Sequence, residues 1–250
     1  MALEFQATFD FLKIPPQNIW KLLRSTHPQM LADNVIVEMA GGRCTVADVD
    51  NRIAKKGKPY FDIGIKQMTF TYSQVGPGDH ALLWLVNCIE DTADAWRWCE
   101  PFAALPEFRQ AFVYDSDFQR WQNEEDPEAF ADEGRDHGNL PKKSNNLPDF
   151  VESDIIDISG NPGRRMIREG YLEFVSSLMW LGKPFWKLTG ASRNKVLEQD
   201  WLKCKELSNN VLQVHARNKP FVSAEGEQGA MQDRLRDLLF PHHGKHESLR

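Results

Sequence analysis

The chain has 250 residues, 41% of them hydrophobic, and carries 36 Asp and Glu against 30 Lys and Arg for a formal charge of −6. That size and composition fit a single globular unit, with two joined lobes as the finer alternative, able to bury a core without disulfide staples. The charge is uneven: residues 1–150 hold 23 acidic and 15 basic side chains, residues 151–250 hold 13 and 15, which speaks against nucleic acid as the main ligand, since phosphates call for a basic surface.

The opening MALEFQATFDF has neither the basic start nor the apolar run of a secretory signal. No stretch reaches the roughly 18 to 20 apolar residues of a membrane span. A cytoplasmic protein with no membrane partner is expected. The four cysteines, Cys44, Cys88, Cys99 and Cys204, form no CxxC pair and read as buried thiols.

Residues 3–11 alternate apolar and polar side chains, the pattern of a half-buried strand. Pro15-Pro16 precede Ile19, Leu22 and Leu23 at helical spacing, predicting a helix over 16–25. Residues 35–39 are a short β-prone run. Residues 60–72 alternate throughout and read as one strand, with Tyr60, Asp62, Gly64, Lys66, Met68 and Phe70 sharing a face. A Gly-Pro-Gly turn at 76–78 then leads into a central strand over 81–89, antiparallel to its predecessor. Asp91-Thr92 can cap a helix over 93–105, and Phe112, Val113 and Tyr114 are a short strand.

Residues 123–149 hold acids, Gly, Asn and Pro with few aliphatics, predicting a loop between two lobes. Beyond it, Asn161-Pro162 reads as a helix start. Met166, Ile167, Gly170, Tyr171, Phe174, Val175, Leu178, Met179 and Leu181 follow at three-to-four spacing, up to Gly182. A short helix is predicted after Pro184, another helix from Ser192 carrying Val196, Leu197, Trp201, Leu202 and Cys204, a strand over 211–215, a last helix over 230–239 and a disordered tail over 241–250. The sum is an α+β protein: a mixed or antiparallel sheet in the N-terminal half packed with a mainly helical C-terminal half. Its divisions are a sheet-rich lobe 1–122, an acidic loop 123–149 and a helix-rich lobe 150–240.

No nucleophile elbow, phosphate loop, HExxH or CxxC pair is present, so no catalytic residue, metal or cofactor is assigned. Gly160-Asn161-Pro162-Gly163-Arg164-Arg165 could hold an anion at a helix start, or simply open a helix. Asp154 and Asp157 match no complete metal loop, and Asp62 with Lys66 is a partial match to a nuclease pattern. Trp84 and most other tryptophans read as core. The one segment with the composition of a contact surface is 115–136, where nine acids face only Arg120 and Arg135. Its candidate contact residues are Asp115, Asp117, Phe118, Trp121, Glu124, Glu125, Asp126 and Glu128, aromatic anchors inside a charged rim. The bland alternative is an amphipathic helix turning Phe118 and Trp121 toward the core.

The run from Asp157 to Arg165, then Gly170-Tyr171, Met179-Trp180-Leu181-Gly182 and Phe185-Trp186-Lys187-Leu188-Thr189-Gly190, resembles bacterial immunity proteins of polymorphic toxin and type VI secretion systems, of the TsiT-like kind. The likeness covers roughly residues 154–190, with weaker similarity from Trp84 to Trp98. The resemblance implies an antidote that binds a cognate toxin or effector, of nuclease type and therefore basic, with homodimerisation left open. It carries over no individual contact residue. Two other readings stand beside it: an enzyme with an unrecognised site, and a secretion-associated adaptor or chaperone.

Overall fold

A computed structural model describes residues 3–10, 13–39, 42–56, 60–75, 80–89, 91–92, 94–148 and 151–242. The predicted Gly-Pro-Gly turn and residues 243–250 of the predicted tail lie outside the described residues.

Strand β1 (Leu3–Asp10) is followed by helix α1 (Pro16–Thr26), whose first turn accepts Pro16 because that N–H would have no partner there. The hairpin β2 (Ile36–Met39) and β3 (Gly42–Thr45) leads into α2 (Val46–Lys56). Thr45 and Asp48 close its first turn reciprocally: Asp48 accepts from the Thr45 amide, and Thr45 Oγ1 accepts from the Asp48 amide. Strands β4 (Phe61–Ile65), β5 (Met68–Val75) and β6 (His80–Ile89) form a meander. Helix α3 (Ala95–Ala103) then returns the chain to β7 (Phe108–Asp115).

The stretch read as one strand over 60–72 is therefore a hairpin. Lys66 and Gln67 form its turn, with Lys66 at a φ of 56° and Ile65 opposite Met68. The turn reverses the parity of the alternation. Phe61, Ile63 and Ile65 share the buried face with Phe70 and Tyr72, while Asp62 and Thr71 share the other. The expected grouping of Asp62 with Phe70 is corrected accordingly.

The C-terminal half departs further from expectation. Helix α4 (Ser116–Asn123) ends where the predicted loop begins, and the loop itself contains the short helix α5 (Pro127–Asp132) and strand β8 (Lys142–Ser144). Strand β9 (Asp154–Ile156) pairs with β8. In place of a helix over 161–182 stand β10 (Met166–Arg168), β11 (Tyr171–Glu173) and β12 (Leu178–Leu181). Glu169 and Gly170 turn the β10–β11 hairpin, with Gly170 at a φ of 81°. Every residue of β12 is buried, and a run apolar on both faces satisfies the helical period as readily as the strand one. Short helices α6 (Lys183–Thr189) and α7 (Arg193–Leu197) come next; the helix expected to reach Cys204 stops at Leu197, and Cys204 lies in a strand. Strands β13 (Lys203–Glu206) and β14 (Leu212–His215) and helix α8 (Gly226–Leu239) complete the chain. Helices are thus spread along the chain, and the mainly helical C-terminal half is not found.

Ten strands form one sheet in the order β13-β14-β12-β7-β1-β6-β5-β4-β2-β3, and its strand pairs are antiparallel. The sheet crosses the boundary expected between lobes, because β12 pairs with β7. Helices α1 to α3 supply Ile19, Trp20, Leu23, Trp98 and Phe102 to a core on one face, against Phe5, Phe9, Phe70 and Leu85. A second core on the other face joins Phe112, Tyr114, Met179 and Leu181 to Phe174, Phe185, Leu235 and Leu239. Strand β1 lies beneath both. Its second face is as buried as its first, with Gln6 and Thr8 inaccessible, and the half-buried expectation fails there.

The second layer is narrower than the sheet. Over β4, β5 and β6 that face stays open: Asp62 and Trp84 are exposed, and Thr69, Thr71, Ser73, Leu82 and Val86 are partly so.

Candidate functional site

The acidic segment folds into a small braced unit. Asp115 is buried and caps α4, accepting from the Phe118 amide at 2.8 Å. Asp126 caps α5 in the same way at Glu128, and Glu124 accepts from the Asp126 amide. Asp117 accepts from Trp121 Nε1 at 3.0 Å and pairs with Arg135 at 3.1 Å. The Trp121 ring receives the guanidinium groups of Arg135 at 4.2 Å and Arg120 at 4.7 Å, and Phe130 packs against it. Arg120 also pairs with Glu133, and Lys143 bridges Glu125 and Asp157. The Glu125 carboxylate beside Lys143 raises the lysine's pKa above its ordinary value. Phe118 leans on the second core.

Of the eight candidate contact residues, Glu128 stands exposed, while Asp115 is taken up by the chain's own helix cap. Asp117, Trp121, Glu124, Glu125 and Asp126 are half-buried or exposed but tied to neighbours within the chain. Each exposed ion pair is weak, of order 0–1 kcal/mol. Together they tie Asp117, Glu125 and Glu133 to cations of the same chain.

The 160–165 loop is sewn to α4 and does not start a helix. Gln122 accepts from the Gly163 amide and Asn123 from the Arg165 amide, while Asn161 donates to the Gln122 carbonyl. Those two loop amides, which an anion would require, are already spent. Asp157 accepts from the Ser159 amide, which holds its carboxyl below the ordinary range. Among the described residues no group of three or more His, Cys, Asp or Glu could hold a metal ion. All four cysteines are unbridged, with Cys44, Cys88 and Cys99 buried.

A groove of about 670 Å³ opens where the uncovered sheet meets α4 and β10. Glu4 and Trp84 form its sheet side; Asp117, Gln119 and Arg120 line it from α4; Arg165 and Ile167 close it. Trp84 is 40% exposed and Ile167 52%. The Trp84 indole donates to Glu4 Oε2 at 2.9 Å. Arg165 lies over the rings of Tyr114 and Phe174, at 5.0 and 5.1 Å. Burial is the main reason that the Tyr114 phenol is held well above its ordinary pKa; Glu4 raises it further and Arg165 opposes the shift.

Sequence reasoning thus found one wall of this groove, through Asp117. It missed Glu4, Trp84 and Ile167, took Arg165 only as part of a candidate anion loop, and assigned Trp84 to the core. The signal available was parity. Once the turn at Lys66 is placed, Trp84 falls opposite Thr71 and Gln6, on the polar face of the sheet.

No protein-family model and no curated protein matches the chain. Among solved structures, a type VI secretion system protein of Pseudomonas aeruginosa has a similar fold. The TM-score is 0.51 at 8% sequence identity, covering 95% of this chain and 73% of that one. The likeness concerns the fold. No helix among the described residues is long and apolar enough to cross a membrane.

Proposed function

We propose that this chain is an immunity protein of a type VI secretion system, acting in the cytoplasm to neutralise a cognate toxin by protein–protein contact. The observation that carries the reading is the fold shared with a type VI secretion protein across 95% of the chain. The sequence resemblance over residues 154–190 points the same way, through packing residues that build β10 to β12 and α6. The acidic balance of residues 1–150, 23 acids against 15 bases, suits a basic, nuclease-type toxin. Such a toxin must be positively charged to hold phosphates, and an acidic antidote would meet it quickly by electrostatic steering.

The test is co-expression with the toxin encoded beside this chain. Growth should be restored, and the two proteins should elute together as a stoichiometric complex on size exclusion. Continued toxicity with the antidote well expressed, and no co-elution, would overturn the reading.

A further inference from the structure

The open face of β4, β5 and β6 has a definite chemistry. Two register rows cross it: Asp62, Thr71, Trp84 and Gln6 in one, Gly64, Thr69, Val86 and Glu4 in the next. The charged side chains of these rows are both carboxylates, Asp62 and Glu4. The Glu38–Arg43 pair lies further out, at the sheet edge. Trp84 sits between the two acids with its ring partly bare. Its N–H is donated to a carboxylate, which pushes electron density into the indole and strengthens the attraction of its face for a cation.

The groove beside it carries an acceptor without a partner. Gln119 is 6% exposed, and its amide nitrogen donates to the Gly163 carbonyl at 3.4 Å, which leaves Oε1 buried without a partner. Of the cations that line the groove, Arg120 pairs with Glu133 and lies over Trp121, while Arg165 lies over Tyr114 and Phe174 with Nε and Nη2 buried and without a hydrogen-bond partner.

We infer that this face is the docking surface for the partner, and that its central seat takes an arginine or lysine side chain of the toxin, stacked on Trp84 and held by Glu4 and the Gln119 carbonyl. The inference rests on the immunity reading and names its contact. A basic side chain satisfies an exposed π-face, a carboxylate and an unpaired acceptor together. An acidic one would find Arg165 but would also meet Glu4 and Asp117.

The experiment measures the affinity of the full-length chain for its cognate toxin by calorimetry, for wild type and for Trp84→Ala, Trp84→Phe, Glu4→Gln and Arg165→Met. Asp200→Asn, in the loop after α7, serves as control. Trp84→Ala should weaken binding on the order of 30-fold or more, as expected of a central aromatic anchor. Trp84→Phe should retain part of the affinity and so exclude simple misfolding. Glu4→Gln should weaken binding about 10-fold and flatten its dependence on salt. Wild-type affinity in Trp84→Ala and Glu4→Gln, in a chain that still binds its toxin, overturns the seat and leaves the immunity reading intact. Loss confined to Arg165→Met overturns it in favour of an acidic occupant. A wild-type dimer dissociated by Trp84→Ala overturns it in favour of a second copy of the chain. Absence of toxin binding by wild type removes both the seat and the reading beneath it.

Discussion

The two ends of one sheet face make an instructive pair. Over β7, β12 and β14 the face is sealed by β11 and α6 to α8, and even its charges are inside: Glu173 and Arg236 pair at 2.8 Å with side chains 1% exposed. Over β4 to β6 the same face meets solvent, and a tryptophan stands in the middle of it. The open face is built largely of polar or small side chains (Asp62, Gly64, Thr69, Thr71, Ser73), the sealed one of large apolar ones (Phe112, Met179, Leu181), and the later segments of chain return to cover the apolar one. A sheet face left open on a chain long enough to cover it is where a partner has room to complete the layer.

The largest expected effect lies on the sealed side. Arg236 donates to Glu173, to the Pro162 carbonyl at 3.0 Å and to the Arg164 carbonyl at 2.7 Å, so α8, β11 and the 160–165 loop share one guanidinium. Burial is the main reason its pKa falls to about 10. Arg236→Met should cost about 3 kcal/mol in denaturant unfolding, at the low end for a broken buried pair. The low end applies because Arg168 still holds Glu173 at 2.9 Å. If the cost is under ~1 kcal/mol, the sealed layer is not anchored through this residue.

A second test probes how tightly the layers meet. Gly182 approaches β7 so closely that an added Cβ would lie 2.4 Å from the Phe108 carbonyl oxygen. Its own amide donates to the Arg109 carbonyl at 2.8 Å. Backbone on both sides cannot yield as a flexible side chain would. Gly182→Ala should therefore destabilise by about 2 kcal/mol, within the range for overpacking, read from the shift in denaturation midpoint.

The same contrast explains what could be read from the sequence. In the N-terminal half, strands with one polar face keep a clear alternation, and β1, β6, α1 and α3 are legible to within a few residues. The hairpin at Lys66 was hidden because a two-residue turn without glycine or proline interrupts the alternation without a compositional mark. In the C-terminal half, strands such as β12 are apolar on both faces and carry no period to tell strand from helix. The acidic segment was legible as composition but not as structure. The arginine and lysine that answer it from outside its helices, Arg135 and Lys143, come from the loop after α5 and from β8, and only folding brings them to Asp117 and Glu125. Trp84 was misplaced for the complementary reason. A tryptophan in a strong strand is core by prior, and its place on the polar face shows only once the turn at Lys66 resets the parity of the neighbouring strand.

The smallest expected effect completes the comparison from the open side. Trp84 makes one side-chain hydrogen bond, to Glu4, and its ring is 40% exposed. Replacing it by alanine removes some packing against Thr71 and Gln6. It also lets Glu4, otherwise 9% exposed, recover water in place of the indole N–H. The two changes oppose each other, so Trp84→Ala should alter unfolding free energy by no more than about 0.5 kcal/mol, as for surface positions generally. A residue whose removal leaves the fold intact but weakens partner binding is maintained for contact. A loss above ~2 kcal/mol would instead make Trp84 part of the scaffold, and the open face would then be a stability feature of the sheet.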